Sequence, residues 1–85
     1  MKSFVYVIKD KVGIHARPAG ILVKEAKKYE SEILVKKGEA QGDAKHLTQL
    51  MSMGIKCGDE ITVEVTGADE EAAAASMEKV FSGHL

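Results

Sequence analysis

Apolar residues recur along this chain with two different periods. Residues 3 to 8, SFVYVI, are short, β-branched and aromatic, and end in the turn-like KDKVG, as a strand does. Residues 16 to 29 switch period: Ile21, Leu22, Ala26 and Tyr29 recur at spacings of three and four, with Lys24, Glu25, Lys27 and Lys28 largely on the other face. This predicts a helix, and Pro18 suits its first turn, where a missing amide would have been unpaired anyway. EILVKK, residues 32 to 37, predicts a second strand, and Gly38 and Gly42 bracket a segment able to return as an edge strand. Residues 46 to 53 predict a short helix with Leu47, Leu50 and Met51 on one side, ended by Gly54. EITVEVT, residues 60 to 66, alternates cleanly, with Ile61, Val63 and Val65 on one face. A last helix is expected from near Asp69, with acidic residues at its positive end and Ala73, Met77, Val80 and Phe81 on its apolar face.

The order β-α-β-β-α-β-α predicts an α+β layer, with helices covering one face of the sheet. Thr62, Glu64 and Thr66 would then point to water. Eighty-five residues suffice for one domain, residues 1 to 85. A chain of this size buries only about 60% of the surface it exposes unfolded, so a shallow site is expected rather than an enclosed cleft.

Charge removes several function classes. Twelve basic and thirteen acidic residues give a net charge of −1, unlike the positive footprint of a nucleic-acid binder. No basic amphipathic helix suggests membrane binding, and no apolar run could span a bilayer. The N-terminal MKSFVYVIKDKVG lacks a signal-peptide core, and the single Cys57, in a turn-like IKCGDE, can form no internal disulfide. A cytosolic protein is expected.

The chemistry-bearing residues crowd into GIHARPAG, residues 13 to 20, between the first strand and the first helix. A helix N-terminus offers unpaired N–H groups and a partial positive charge, which suit a phosphate. Arg17 adds a permanently charged fork that matches phosphate oxygens, Pro18 stiffens the turn, and Gly13 and Gly20 keep side-chain bulk away. An imidazole there, His15, can act as nucleophile or base. Two readings follow from the residues: a phosphate-handling histidine, or a histidine that merely caps the helix or sits on the surface.

GIHARPAG followed by ILVKEAKKYESEI closely resembles the reactive segment of the HPr family, the histidine-containing phosphocarriers of the bacterial phosphoenolpyruvate-dependent sugar phosphotransferase system. GDAKHLTQLMSMGIKCGDEITVEVTGADEEAAAA resembles the second half of the same family, so the likeness covers essentially the whole chain. The resemblance implies an open-faced β-sandwich, four antiparallel strands with three helices on one face. It implies a phosphocarrier that is not a true enzyme, which takes a phosphoryl group from phosphorylated enzyme I and passes it to EIIA domains. The phosphorylated atom would be Nδ1 of His15, supported by Arg17 and the helix start at Ala16, Arg17 and Pro18. Partners would dock on a patch that maps to Gly20, Leu47, Thr48 and Met51. No cofactor, metal, nucleic acid or membrane insertion is implied, and a monomer is expected.

Two positions depart from the family pattern. His46 stands where many relatives have a regulatory serine at the start of the second helix, so seryl phosphorylation there by the HPr kinase is not expected. Thr48 stands where the family usually has a large apolar side chain, which should weaken or redirect docking. His46 is read as an exposed cap substitute and His84 as frayed surface. No spacing among His15, His46, His84 and Cys57 fits a zinc site. Met53 is assigned to the core, and Met51 to docking. Lys24, Lys27 and Lys28 form either a solvated face or one that steers an acidic partner. The alternatives are an HPr-like interaction or regulatory module with altered partners, an acylphosphatase-like hydrolase, which the motif does not support, and an RNA-binding α+β domain, which the charge and the lack of stacking aromatics disfavour.

Overall fold

The computed structural model describes residues 1–14 and 16–85. Strand β1 (Lys2–Val7) is followed by α1 (Ala16–Ala26), β2 (Glu32–Lys37), β3 (Ala40–Asp43), α2 (Leu47–Ser52), β4 (Glu60–Thr66) and α3 (Glu70–His84). The four strands form one antiparallel sheet in the order β1-β4-β2-β3. The three helices cover one face, the open-faced α+β arrangement that the element order predicted.

The alternation in β4 sets this arrangement. Ile61, Val63 and Val65 are fully buried, while Thr62 and Glu64 between them reach the other face and Thr66 is exposed. Register carries the same faces across the sheet, with Phe4 opposite Val63, Tyr6 opposite Ile61 and Ile33 opposite Val65. From the helical side, Ala73, Met77 and Phe81 of α3 are fully buried. Phe81 lies edge-on to Phe4 with ring centroids 6.0 Å apart, and 5.7 Å from Tyr6. Val80 is only partly buried, at the margin of that face. On the open side, Lys36 and Glu64 of neighbouring strands pair at 2.9 Å.

Two details of α1 differ from expectation. Its buried face is Pro18, Ala19, Leu22 and Ala26, with Ile21 and Tyr29 only partly covered. Leu22 and Ala26 are shared with the predicted face, but small Ala19 and Pro18 take the places expected of the bulkier Ile21 and Tyr29. The helix also stops three residues early. Lys28 N–H donates to Glu25 O at 3.1 Å and Tyr29 N–H to Ala26 O at 3.2 Å, which tightens the last turn. The next amides, of Glu30 and Ser31, donate instead to the Asp69 carboxylate, both at 2.9 Å. A partner 38 residues away thus ends the helix where local propensity would continue it.

Candidate functional site

The segment between β1 and α1 is held from three sides. Asp10 organises it locally: its Oδ1 accepts the Val12 N–H at 2.9 Å and its carbonyl accepts the Gly13 N–H at 3.1 Å. Ile14 N–H donates across to Ile55 O at 3.1 Å, which ties the segment to the loop after α2. Gly13 makes this approach possible. Its φ is +81°, and an added Cβ would fall on the Ile55 carbonyl oxygen and 2.7 Å from the Lys56 Cα. The third tie comes from Leu85, whose carbonyl accepts the amides of both Lys9 and Asp10, the latter at 2.8 Å.

His15 lies outside the described residues; its neighbours do not. Ala16 begins α1, Arg17 is exposed in the first turn, and Pro18 is buried beneath it. No acidic residue falls in that turn. A guanidinium therefore stands at the positive end of the helix dipole, where a carboxylate would be the stabilising choice. An anion docked there would meet positive potential from the helix end and the side chain together. Beside it is an open recess of about 250 Å³, lined by Asp10, Arg17, Pro18, Ile21, Gly83 and His84.

His84 and Leu85 correct the sequence reading of a frayed end. Helix α3 runs through His84, and Leu85 is buried with its carbonyl engaged. His84 remains exposed, on the wall of the recess that Arg17 also lines. Asp10 was likewise missed. Its signal was present: Asp three residues before Gly in DKVG is a turn signature, with the carboxylate free to bind an amide two residues on.

The proposed docking residues sit on α1 and α2, which pack against each other. Leu47 and Met51, one helical turn apart, remain 40% and 44% exposed, while Leu50 between them is buried. Thr48 is exposed beside them, and open space surrounds Gly20 on α1. Met53 packs against the core, as expected. His46 occupies the N-cap position of α2, but its side chain makes no capping hydrogen bond; it lies 3.8 Å from Asp43 instead. The cap substitute read from the sequence is thus a cap in position only. An imidazole is too wide and too far out to reach the second or third amide as a serine oxygen does. Cys57 is an exposed free thiol in a turn.

The family model described as the PTS HPr component phosphorylation site matches residues 2–82. The chain belongs to the HPr family. The phosphocarrier protein HPr of Mycoplasma genitalium is 53% identical over 78 residues, covering 91% of this chain and 89% of that one. The solved structure of a mycoplasma histidine-containing phosphocarrier protein superposes with a TM-score of 0.91 at 42% identity, covering 93% of this chain and 90% of its own. An HPr from Thermoanaerobacter tengcongensis, solved as a dimer, matches with a TM-score of 0.77 at 35% identity over 98% of this chain and 95% of that one. HPr relatives thus share the whole architecture. Among the described residues no helix is long and apolar enough to cross a membrane.

Proposed function

We propose that this HPr-family chain works as a single cytoplasmic phosphocarrier domain, relaying a phosphoryl group from phosphorylated enzyme I to EIIA domains through His15. The observation that carries the reading is the start of α1. Here a family-matched His-Ala-Arg-Pro run leads into a helix whose first turn holds Arg17 and no acid.

In the step proposed, His15 is neutral with its proton on Nε2, so Nδ1 has a free lone pair. Nδ1 attacks phosphorus; the new P–N bond forms as the bond from phosphorus to the donor atom breaks, and that electron pair leaves with the donor. Charge on the equatorial oxygens is met by the Arg17 guanidinium and by amides at the helix start. Transfer to the acceptor reverses these roles. Each carrier molecule takes up one phosphoryl group and must hand it to a second protein before it can accept another; it is the substrate of both transfers, a stoichiometric relay rather than an enzyme. Gly20, Leu47, Thr48 and Met51 form the docking patch in this reading, and the working unit is a monomer.

The test mixes the protein with phosphoenolpyruvate, magnesium and catalytic enzyme I, and reads intact mass without acid. One acid-labile phosphoryl group, absent in His15→Ala, is the expected result. No addition to a folded chain would overturn the relay and favour an interaction module, with His46 and Thr48 as the first positions to revert.

A further inference from the structure

Strand β2 ends in a lysine on its inner face. By the period of a strand, Lys37 follows Ile33 and Val35, both fully buried, toward the helical side of the sheet. An apolar residue is the ordinary choice at such a position. Lys37 instead keeps 35% of its side chain exposed and pairs its ammonium with Asp59 Oδ2 at 2.8 Å. The same Nζ donates to Gly54 O at 3.2 Å.

These contacts bracket one residue. Lys37 holds the Gly54 carbonyl on one side of Ile55, and Asp59 Oδ2 accepts the Lys56 N–H on the other, at 2.8 Å. Ile55, between them, gives its carbonyl to the Ile14 N–H and closes off the space beside Gly13. The loop also meets the end of β1: Gly58 N–H donates to Ile8 O at 2.7 Å, and Ile8 N–H to Asp59 O at 3.0 Å. Residues 54–59 form no helix or strand, so these ties set where Ile55 stands. The Asp59 carboxyl is held below its usual 3.8 by Lys37 first and the Lys56 amide next, which keeps the carboxylate present at neutral pH.

We propose that Lys37 is a positioning residue for phosphoryl transfer: through Gly54 and Asp59 it fixes the 54–59 loop, and the loop fixes Gly13 and Ile14, the residues that precede His15 in the chain. This rests on the phosphocarrier reading. A half-exposed ion pair contributes little to stability. A misplacement of about 1 Å, by contrast, can cost a reaction roughly a hundred-fold. The pair therefore matters to rate far more than to folding.

The experiment compares the wild type, Lys37→Met and Lys37→Arg. It reads phosphoryl transfer from phosphorylated enzyme I against carrier concentration, hydrogen exchange of the Ile14 amide, and urea unfolding. Methionine keeps the apolar stem and removes the charge. It is expected to lower kcat about ten-fold with KM unchanged, to speed Ile14 exchange, and to move the urea midpoint little. Arginine retains the charge and can bond both oxygens, so it is expected to restore kcat and Ile14 protection. A kcat for Lys37→Met within about two-fold of wild type overturns the inference. A raised KM at unchanged kcat also overturns it, by making Lys37 a partner contact, as does a loss that follows the urea midpoint or that arginine fails to restore. If the wild type accepts no phosphoryl group, the carrier function fails and this role with it; Ile14 exchange in Lys37→Met then separates that failure from a failure of the tether.

Discussion

Two strand-to-helix crossings in this molecule are built from the same parts and left in opposite electrostatic states. From β1 to α1, Gly13 at positive φ presses against the Ile55 backbone and Asp10 gathers the turn amides. From β4 to α3, Gly67 has a φ of +153° and an added Cβ would lie 2.7 Å from the Ser31 Cα. Asp69 there gathers the Glu30 and Ser31 amides and the Ser31 hydroxyl. The difference comes one residue later. Helix α3 opens with Glu70 and Glu71, and Glu70 accepts the Gly67 N–H and pairs with the chain's own N-terminal ammonium at 2.8 Å. Helix α1 carries Arg17 in its first turn and no acid. One helix end is neutralised by its own sequence; the other keeps its positive potential for something outside the chain.

The comparison breaks most sharply at Arg17→Glu, which gives α1 an α3-like start. Phosphoryl transfer should fall by at least about a hundred-fold, as when one charge-stabilising donor is lost. Stability in urea should hold or rise by ~0.3–1 kcal/mol from the helix dipole. Transfer that survives would separate the reactive site from the helix start.

The two glycines come next. Gly13→Ala and Gly67→Ala should each lose about 2–3 kcal/mol, read from urea midpoints, because each forces a side chain into strained backbone against another main chain. Only Gly13→Ala should also slow transfer per folded molecule.

Asp69 gives a smaller effect with a pH signature. The Ser31 hydroxyl first, then the Glu30 amide, hold its carboxyl below the usual 3.8. A carboxylate depressed in the folded state contributes stability that is fully present above its unfolded value and is lost as pH falls through the folded one. Asp69→Asn should therefore lower the thermal midpoint at pH 7 and flatten its decline below about pH 4, leaving transfer at pH 7 intact. An unchanged acid limb would remove Asp69 from the account.

Helix α2 is the third start, neither neutralised nor charged, with His46 at its N-cap making no capping bond. His46→Asp should add ~0.5–1 kcal/mol, the smallest change of the set. The wild type, incubated with HPr kinase and ATP, should gain no seryl phosphate.

What was legible in the chain follows from how local each cause is. The ends of β4 could be read from alternation alone, because the side-chain period of a strand is a local property. The candidate site was visible as a cluster, since His15, Arg17 and Pro18 fall within four consecutive residues. Helix α1 was read too long because its end is set by Asp69, far along the chain. His84 was read as frayed because what holds the helix end, the bonding of the next residue, Leu85, to the amides of Lys9 and Asp10, reaches the opposite end of the sequence.

The strand order has a consequence in time. Lys2 lies opposite Val65, and Ile14 is bonded to Ile55. A chain leaving the ribosome therefore displays its first strand and its reactive segment long before either has a partner. The first strand cannot pair until β4 has emerged and the reactive segment cannot settle until Ile55 has, so the carrier site assembles late, through the distant pairings that slow folding.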